Sequence, residues 1–135
     1  MVRQGKKGRR LGVGDKTFFY SVGHEHDVER TDGQANRYHD CREVVSLRVP
    51  GTAGRLLITF RAGEGRLVSD GILPGGAVGT TAGVWLNLHE PGTIRALLDQ
   101  ALAQGWVPGG STTEQFDGWR FFDAVAARRA GSGAE

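Results

Sequence analysis

The sequence predicts an α+β fold, an antiparallel sheet of four to five strands with one amphipathic helix packed on one face. Three observations predict it. Apolar and polar residues alternate in several separate stretches before residue 90, the period of a half-buried strand. The apolar period then changes to that of a helix between residues 94 and 102. No strand–helix–strand alternation occurs, which removes the doubly wound parallel folds.

In chain order, TFFYSVGHEH (17–26) places Phe18, Tyr20 and Val22 on one face of a strand. The polar stretch 27–38 is turn-forming around Asp32-Gly33, a pair that favours tight reversal. Residues 39–49 alternate again, with Val45, Leu47 and Val49 sharing a parity, and Pro50-Gly51 ends the run. RLLITFR (55–61) and RLVSD (66–70), joined through Gly63-Glu64-Gly65, form the clearest predicted hairpin. The glycine-rich segment 71–83 reads as a loop, and VWLNLH (84–89) as a strand. Ile94, Leu97, Leu98, Ala101 and Leu102 then share one helix face, with Pro91 in the first turn, where no backbone donor is needed. Gly105 suits the left-handed C′ position and Trp106 the hydrophobic contact of a Schellman motif. Residues 115–130 are ambiguous. Trp119 and Phe121 alternate like a strand while 124–129 favours helix, so a short strand running into a frayed helical turn is expected.

Hydrophobic residues make up 39% of the 135 positions, enough for one core and one domain. The expected division is a flexible basic arm at 1–15, a single α+β domain at 16–130 and a disordered tail at 131–135. No apolar run approaches the roughly 20 residues that span a bilayer, and the basic start leads into no signal-peptide core. The lone Cys41 cannot form an internal disulfide, so a cytoplasmic setting is expected. The net charge of +2 hides an asymmetry: Arg3, Lys6, Lys7, Arg9 and Arg10 carry five positive charges in the first ten residues, and the remaining 12 Lys and Arg face 15 Asp and Glu. Nucleic-acid binders carry their basic patch on the folded body, so contact with nucleic acid is disfavoured and, if made, is expected through the arm.

Known phosphate and nucleophile motifs fail. GVGDKT (12–17) has Asp15 where a phosphate-binding loop needs glycine before Lys-Thr, and a strand follows it instead of a helix. No serine lies in a nucleophile elbow, and no dinucleotide fingerprint occurs. No catalytic or cofactor-binding residue is therefore assigned.

One group carries chemistry. His24 and His26 continue the face of Phe18, Tyr20 and Val22, and His39 and Cys41 continue that of Val45, Leu47 and Val49. In a hairpin of symmetric register, His26 faces His39 and His24 faces Cys41. Opposed Cβ atoms about 5 Å apart let imidazoles and a thiolate converge on zinc or another borderline transition metal. Asp27 and Asp40 are candidate outer acceptors. The alternatives are a polar hairpin end with surface histidines and a small buried cysteine, or a Cys41 nucleophile activated by His24 or His39. His89 reads as a capping or surface residue. Trp85, Phe19 and Trp119 are candidates for an exposed apolar patch.

The C-terminal half, a strand followed by EPGTIRALLDQALAQGWVP and a closing strand, resembles small uncharacterised proteins of high-GC actinobacteria and parts of bacterial toxin-immunity proteins. The shared element is Pro91, the apolar helix face, Gly105-Trp106 and Pro108. It is structural and implies a bacterial protein that acts by binding another protein. The leading expectation is therefore a non-enzymatic protein-binding module. A metal-binding protein or metal-dependent enzyme using His24, His26, His39 and Cys41 stands second.

Overall fold

The structure, a computed structural model, describes residues 8–29, 37–69 and 75–133. The arm at 1–7, the Asp32-Gly33 turn, part of the glycine-rich segment and residues 134–135 lie outside the described residues.

The described strands form two sheets. The larger has the order β1-β2-β3-β4-β8, built from β1 (Arg9–Val13), β2 (Lys16–Glu29), β3 (Arg37–Arg48), β4 (Arg55–Arg61) and β8 (Thr113–Asp117). The smaller has the order β5-β6-β7, from β5 (Arg66–Val68), β6 (Ala77–Thr80) and β7 (Trp85–Asn87). Two helices accompany them, α1 (Pro91–Ala103) and α2 (Trp119–Gly133). The mixed α+β class is as expected, while the single helix and the single antiparallel sheet are corrected. β8 joins the sheet parallel to β4.

The expected arm at 1–15 is corrected too, because residues 9–13 are a strand. Arg9 pairs with Tyr20 and Val13 with Lys16. Gly14 turns the chain at φ 63°, as the first position of a two-residue hairpin turn requires. The glycines that imitate a phosphate loop thus serve a hairpin. Leu11 is buried beneath this strand and supplies the apolar reason for it to dock.

The predicted 55–61/66–70 hairpin does not form as a ladder. Gly63 and Arg66 bridge across the turn, but β5 departs to pair with β6 while β4 pairs with β3 and β8. The strand β6 arises inside the segment read as loop. Gly79 allows it, since a Cβ there would meet the Trp85 ring at 2.4 Å. Small residues here make room for a neighbouring ring instead of loosening the chain.

α1 behaves as its sequence predicts. Ile94, Leu97, Leu98 and Ala101 are fully buried, each large side chain contributing about 1.5–3 kcal/mol, while Leu102 turns outward. The helix ends in the predicted Schellman motif. The Trp106 amide donates to the Ala101 carbonyl at 3.0 Å and the Gly105 amide to that of Leu102 at 3.1 Å, with Gly105 at φ 102°. Trp106 is buried against Phe18.

α2 replaces the expected frayed turn and reaches into the supposed tail. Trp119, Phe122 and Ala126 share a helical stripe, as do Phe121 and Val125, and these pack into the core. The chain enters the helix through Gly118, where a Cβ would strike the Phe60 ring at 2.5 Å. The Asp117 side chain accepts the Trp119 amide at 3.0 Å and caps the first turn. Core residues of both helices and both sheets form one cluster with Tyr20, Val22, Val45, Leu47, Leu56, Ile58 and Phe60. Among the described residues no helix is long and apolar enough to cross a membrane.

Candidate metal centre

β2 and β3 pair with Tyr20 against Leu47, Val22 against Val45 and His24 against Glu43. Matching the apolar pairs at the core end sets this register, and the core face then continues outward into polar residues. The expected symmetric pairing is therefore corrected: His24 faces Glu43 instead of Cys41.

Beyond Glu25, paired with Arg42, the register shifts, and Asp27 pairs with His39. Asp40 and Cys41 together thus oppose His26, which defines a β-bulge. Asp40 takes the left-handed conformation at φ 52°, one that aspartate tolerates better than most residues. The bulge has two effects. It leaves Cys41 on the face of His24 and His26, and it shifts the backbone of His39 one step out of phase with them. The side chain of His39 lies outside the described residues, so the fourth predicted ligand has no described place in the cluster.

The other three come together. The donor atoms of His24, His26 and Cys41 lie within 4.8 Å of one another, and the two imidazole rings are 5.3 Å apart between centroids. An ion held about 2.0–2.1 Å from nitrogen and 2.3 Å from sulfur needs only a small contraction of this triangle. All three are half-buried at the rim of the core, and Cys41 packs against its apolar cluster. Two imidazoles and a thiol suit borderline ions such as zinc, and three protein donors leave a position for water or substrate.

The residue that sequence reasoning missed is Glu43. Its side chain is 1% exposed, and a buried carboxylate requires partners to offset its lost hydration. It has two. One oxygen accepts from His24 Nδ1, and the other accepts the Gly76 amide at 2.8 Å. A carboxylate only accepts, so the hydrogen bond puts the His24 proton on Nδ1 and leaves the Nε2 lone pair for a ligand role. Carboxylates orient metal-binding histidines in this way. The signal was present in the sequence, as Glu43 interrupts the apolar parity of Val45 and Leu47 with a charge.

Gly76 ties this centre to the smaller sheet. It stands at φ 85°, and a Cβ there would strike the His89 ring at 2.5 Å. The same residue accepts the Leu88 amide at 2.9 Å. His89 therefore lies against Gly76, the turn residue whose amide supports Glu43, and its own amide donates to Asn87 Oδ1 at 2.9 Å. Beside it opens a cleft of about 650 Å³ lined by Ala77, Trp85, Leu86, His89 and Glu90.

The predicted outer acceptors do otherwise. Asp27 and Asp40 engage Arg42, at 3.7 and 3.0 Å. Arg42 also approaches Glu25 at 3.5 Å, and Arg61 pairs with Asp40. These ion pairs brace the bulge from the opposite face of the ladder. Of the aromatic residues named for an exposed patch, Trp85 is 43% exposed, whereas Trp119 is buried with Nε1 donating to the Arg61 carbonyl at 2.9 Å.

No family model, no curated protein and no solved structure matches the chain.

Proposed function

We propose that the protein binds a transition-metal ion, zinc first, through His24, His26 and Cys41, with Glu43 orienting His24. The observation that carries this reading is the convergence of three donor atoms within 4.8 Å on one face of a ladder whose next residue inward is a buried carboxylate. A reducing compartment would keep the Cys41 thiol available to the ion. The bound ion would act as a Lewis acid at its open position.

The test is elemental analysis of the purified full chain, followed by cobalt(II) titration of protein stripped of metal. The reading expects about one equivalent of metal and a thiolate-to-cobalt charge-transfer band, with both lost in Cys41→Ala and His26→Ala. Cys41→Ala is expected to weaken affinity by more than the roughly 10–100-fold typical of an outer partner. Metal far below one equivalent, or unchanged in both variants, ends the reading.

Binding of another protein is a second reading, supported by the exposed neighbours Val84 and Trp85 beside the cleft at His89. Two adjacent apolar side chains at such a rim suit an aromatic or aliphatic anchor from a partner.

A further inference from the structure

The outer face of the larger sheet carries a row of residues that the metal centre does not use. Arg10 pairs with Phe19, and Phe19 with Arg48. The register that pairs Leu47 with Leu56 sets Arg48 beside Arg55. Four adjacent strands thus present Arg10, Phe19, Arg48 and Arg55 in one line across the sheet, about 14 Å long at a strand spacing of about 4.8 Å. The guanidinium carbons of Arg10 and Arg48 lie 5.8 and 5.0 Å from the Phe19 ring centre, so the ring holds two cations in place.

At the opposite end of the same face Arg42 and Arg61 are paired with carboxylates. None of Arg10, Arg48 and Arg55 has a carboxylate partner among the described residues. Arg10 and Arg55 are exposed. Next to them the paired residues Ser21 and Ser46 line, with Arg48, Arg55 and Gly8, a polar hollow of about 170 Å³. Hydroxyls beside guanidinium groups form a donor set for phosphate oxygens. The basic row is no by-product of general charge, because beyond the first ten residues acids outnumber bases, 15 to 12.

The geometry points to single-stranded nucleic acid as the occupant, its backbone crossing the strands along this row with phosphates on Arg48, Arg55, Ser21 and Ser46. Guanidinium planes also provide surfaces on which unpaired bases stack. A sheet face offers no element that would enter a duplex groove, whereas charged faces with planar groups are the usual platforms for single strands. Arg3, Lys6 and Lys7 precede the strand that carries Arg10 and extend the run of positive charge along the sequence. A membrane surface fits less well, since Phe19 lies against arginines instead of projecting as an apolar anchor.

The experiment is fluorescence anisotropy of a labelled oligothymidylate of about twelve nucleotides, within the usual site size, with the full chain across a salt series. Binding is expected to weaken steeply with salt. Arg48→Gln with Arg55→Gln is expected to lower affinity about tenfold or more and to flatten the log–log salt slope by about 1.4, two contacts at about 0.7 each. The exposed Arg55→Gln alone gives half that change in slope and serves if the double variant misfolds. Three results overturn the proposal: no binding at low salt, an unchanged slope in a folded variant, or equal affinity for phosphatidylserine vesicles with the same loss on substitution. The site is independent of the metal, so Cys41→Ala is expected to bind the oligonucleotide unchanged.

Discussion

The two ends of the β2–β3 ladder treat charge in opposite ways. Around His24 and His26 each described charge is tied to another, with Glu43 held by a histidine and a backbone amide, and Arg42 ringed by Glu25, Asp27 and Asp40. Around Phe19 two arginines, Arg10 and Arg48, share one aromatic ring, and neither they nor the neighbouring Arg55 has a carboxylate partner among the described residues. Paired charges inside a fold mostly fix geometry, because their interaction is already spent on a neighbour. Unpaired cations fixed on a rigid sheet keep their field for whatever arrives. One end is therefore built for shape, and it holds the His24, His26 and Cys41 triangle. The other is built for attraction.

Three substitutions sharpen this contrast, in falling order of effect. Glu43→Leu should be the most damaging, since it strands His24 and the Gly76 amide at a buried position. Urea denaturation is expected to show a loss of about 3–5 kcal/mol, the range for breaking one side of a buried pair. If stability is unchanged, the buried end is not held by its charges. Arg42→Ala removes a half-exposed hub of several weak pairs, and a loss near 1 kcal/mol is expected in the same assay. The third effect concerns a paired charge far from either end. Asp99 on α1 accepts from Arg95 at 3.2 Å and from Arg128 of α2 at 2.7 Å. Partial burial pushes its carboxyl upward, but the hydrogen bonds and charges of Arg128 and Arg95 outweigh that, and its pKa falls below the usual value. A depressed folded pKa means that Asp99 stabilises the fold above its unfolded pKa, and that this contribution disappears as pH falls through the folded value. Asp99→Asn should therefore cost a small amount of stability near neutral pH and nothing in strong acid, as measured by thermal melts across pH.

Much of this architecture was legible because it rests on local rules. The alternation of Phe18, Tyr20 and Val22, the 3.6 period of α1 and the Gly105-Trp106 ending need only their own neighbours. The rest depended on distant partners. β6 exists because Gly79 admits the Trp85 ring, and α2 exists because Trp119, Phe121, Phe122 and Val125 find the core together. For the candidate site, parity alone brought His24, His26 and Cys41 to one face, but symmetry about the connecting turn set the wrong register. The apolar match of Val22 with Val45 governs it, and the bulge at Asp40 then takes His39 out of phase. Glu43 could have been singled out as a charge on an otherwise apolar parity, though its partner Gly76 lies in the turn that leads into β6 and no local pattern announces it.

The parallel seating of β8 on β4 also bears on how the molecule assembles. Arg55 pairs with Thr113, so the chain must traverse the whole smaller sheet and α1 before that ladder can close. Contacts so remote in sequence are slow to form. Until they do, β4 displays an open hydrogen-bonding edge of the kind that recruits other chains. The folding intermediate most exposed to aggregation is thus the one in which everything but the final strand and helix is already in place.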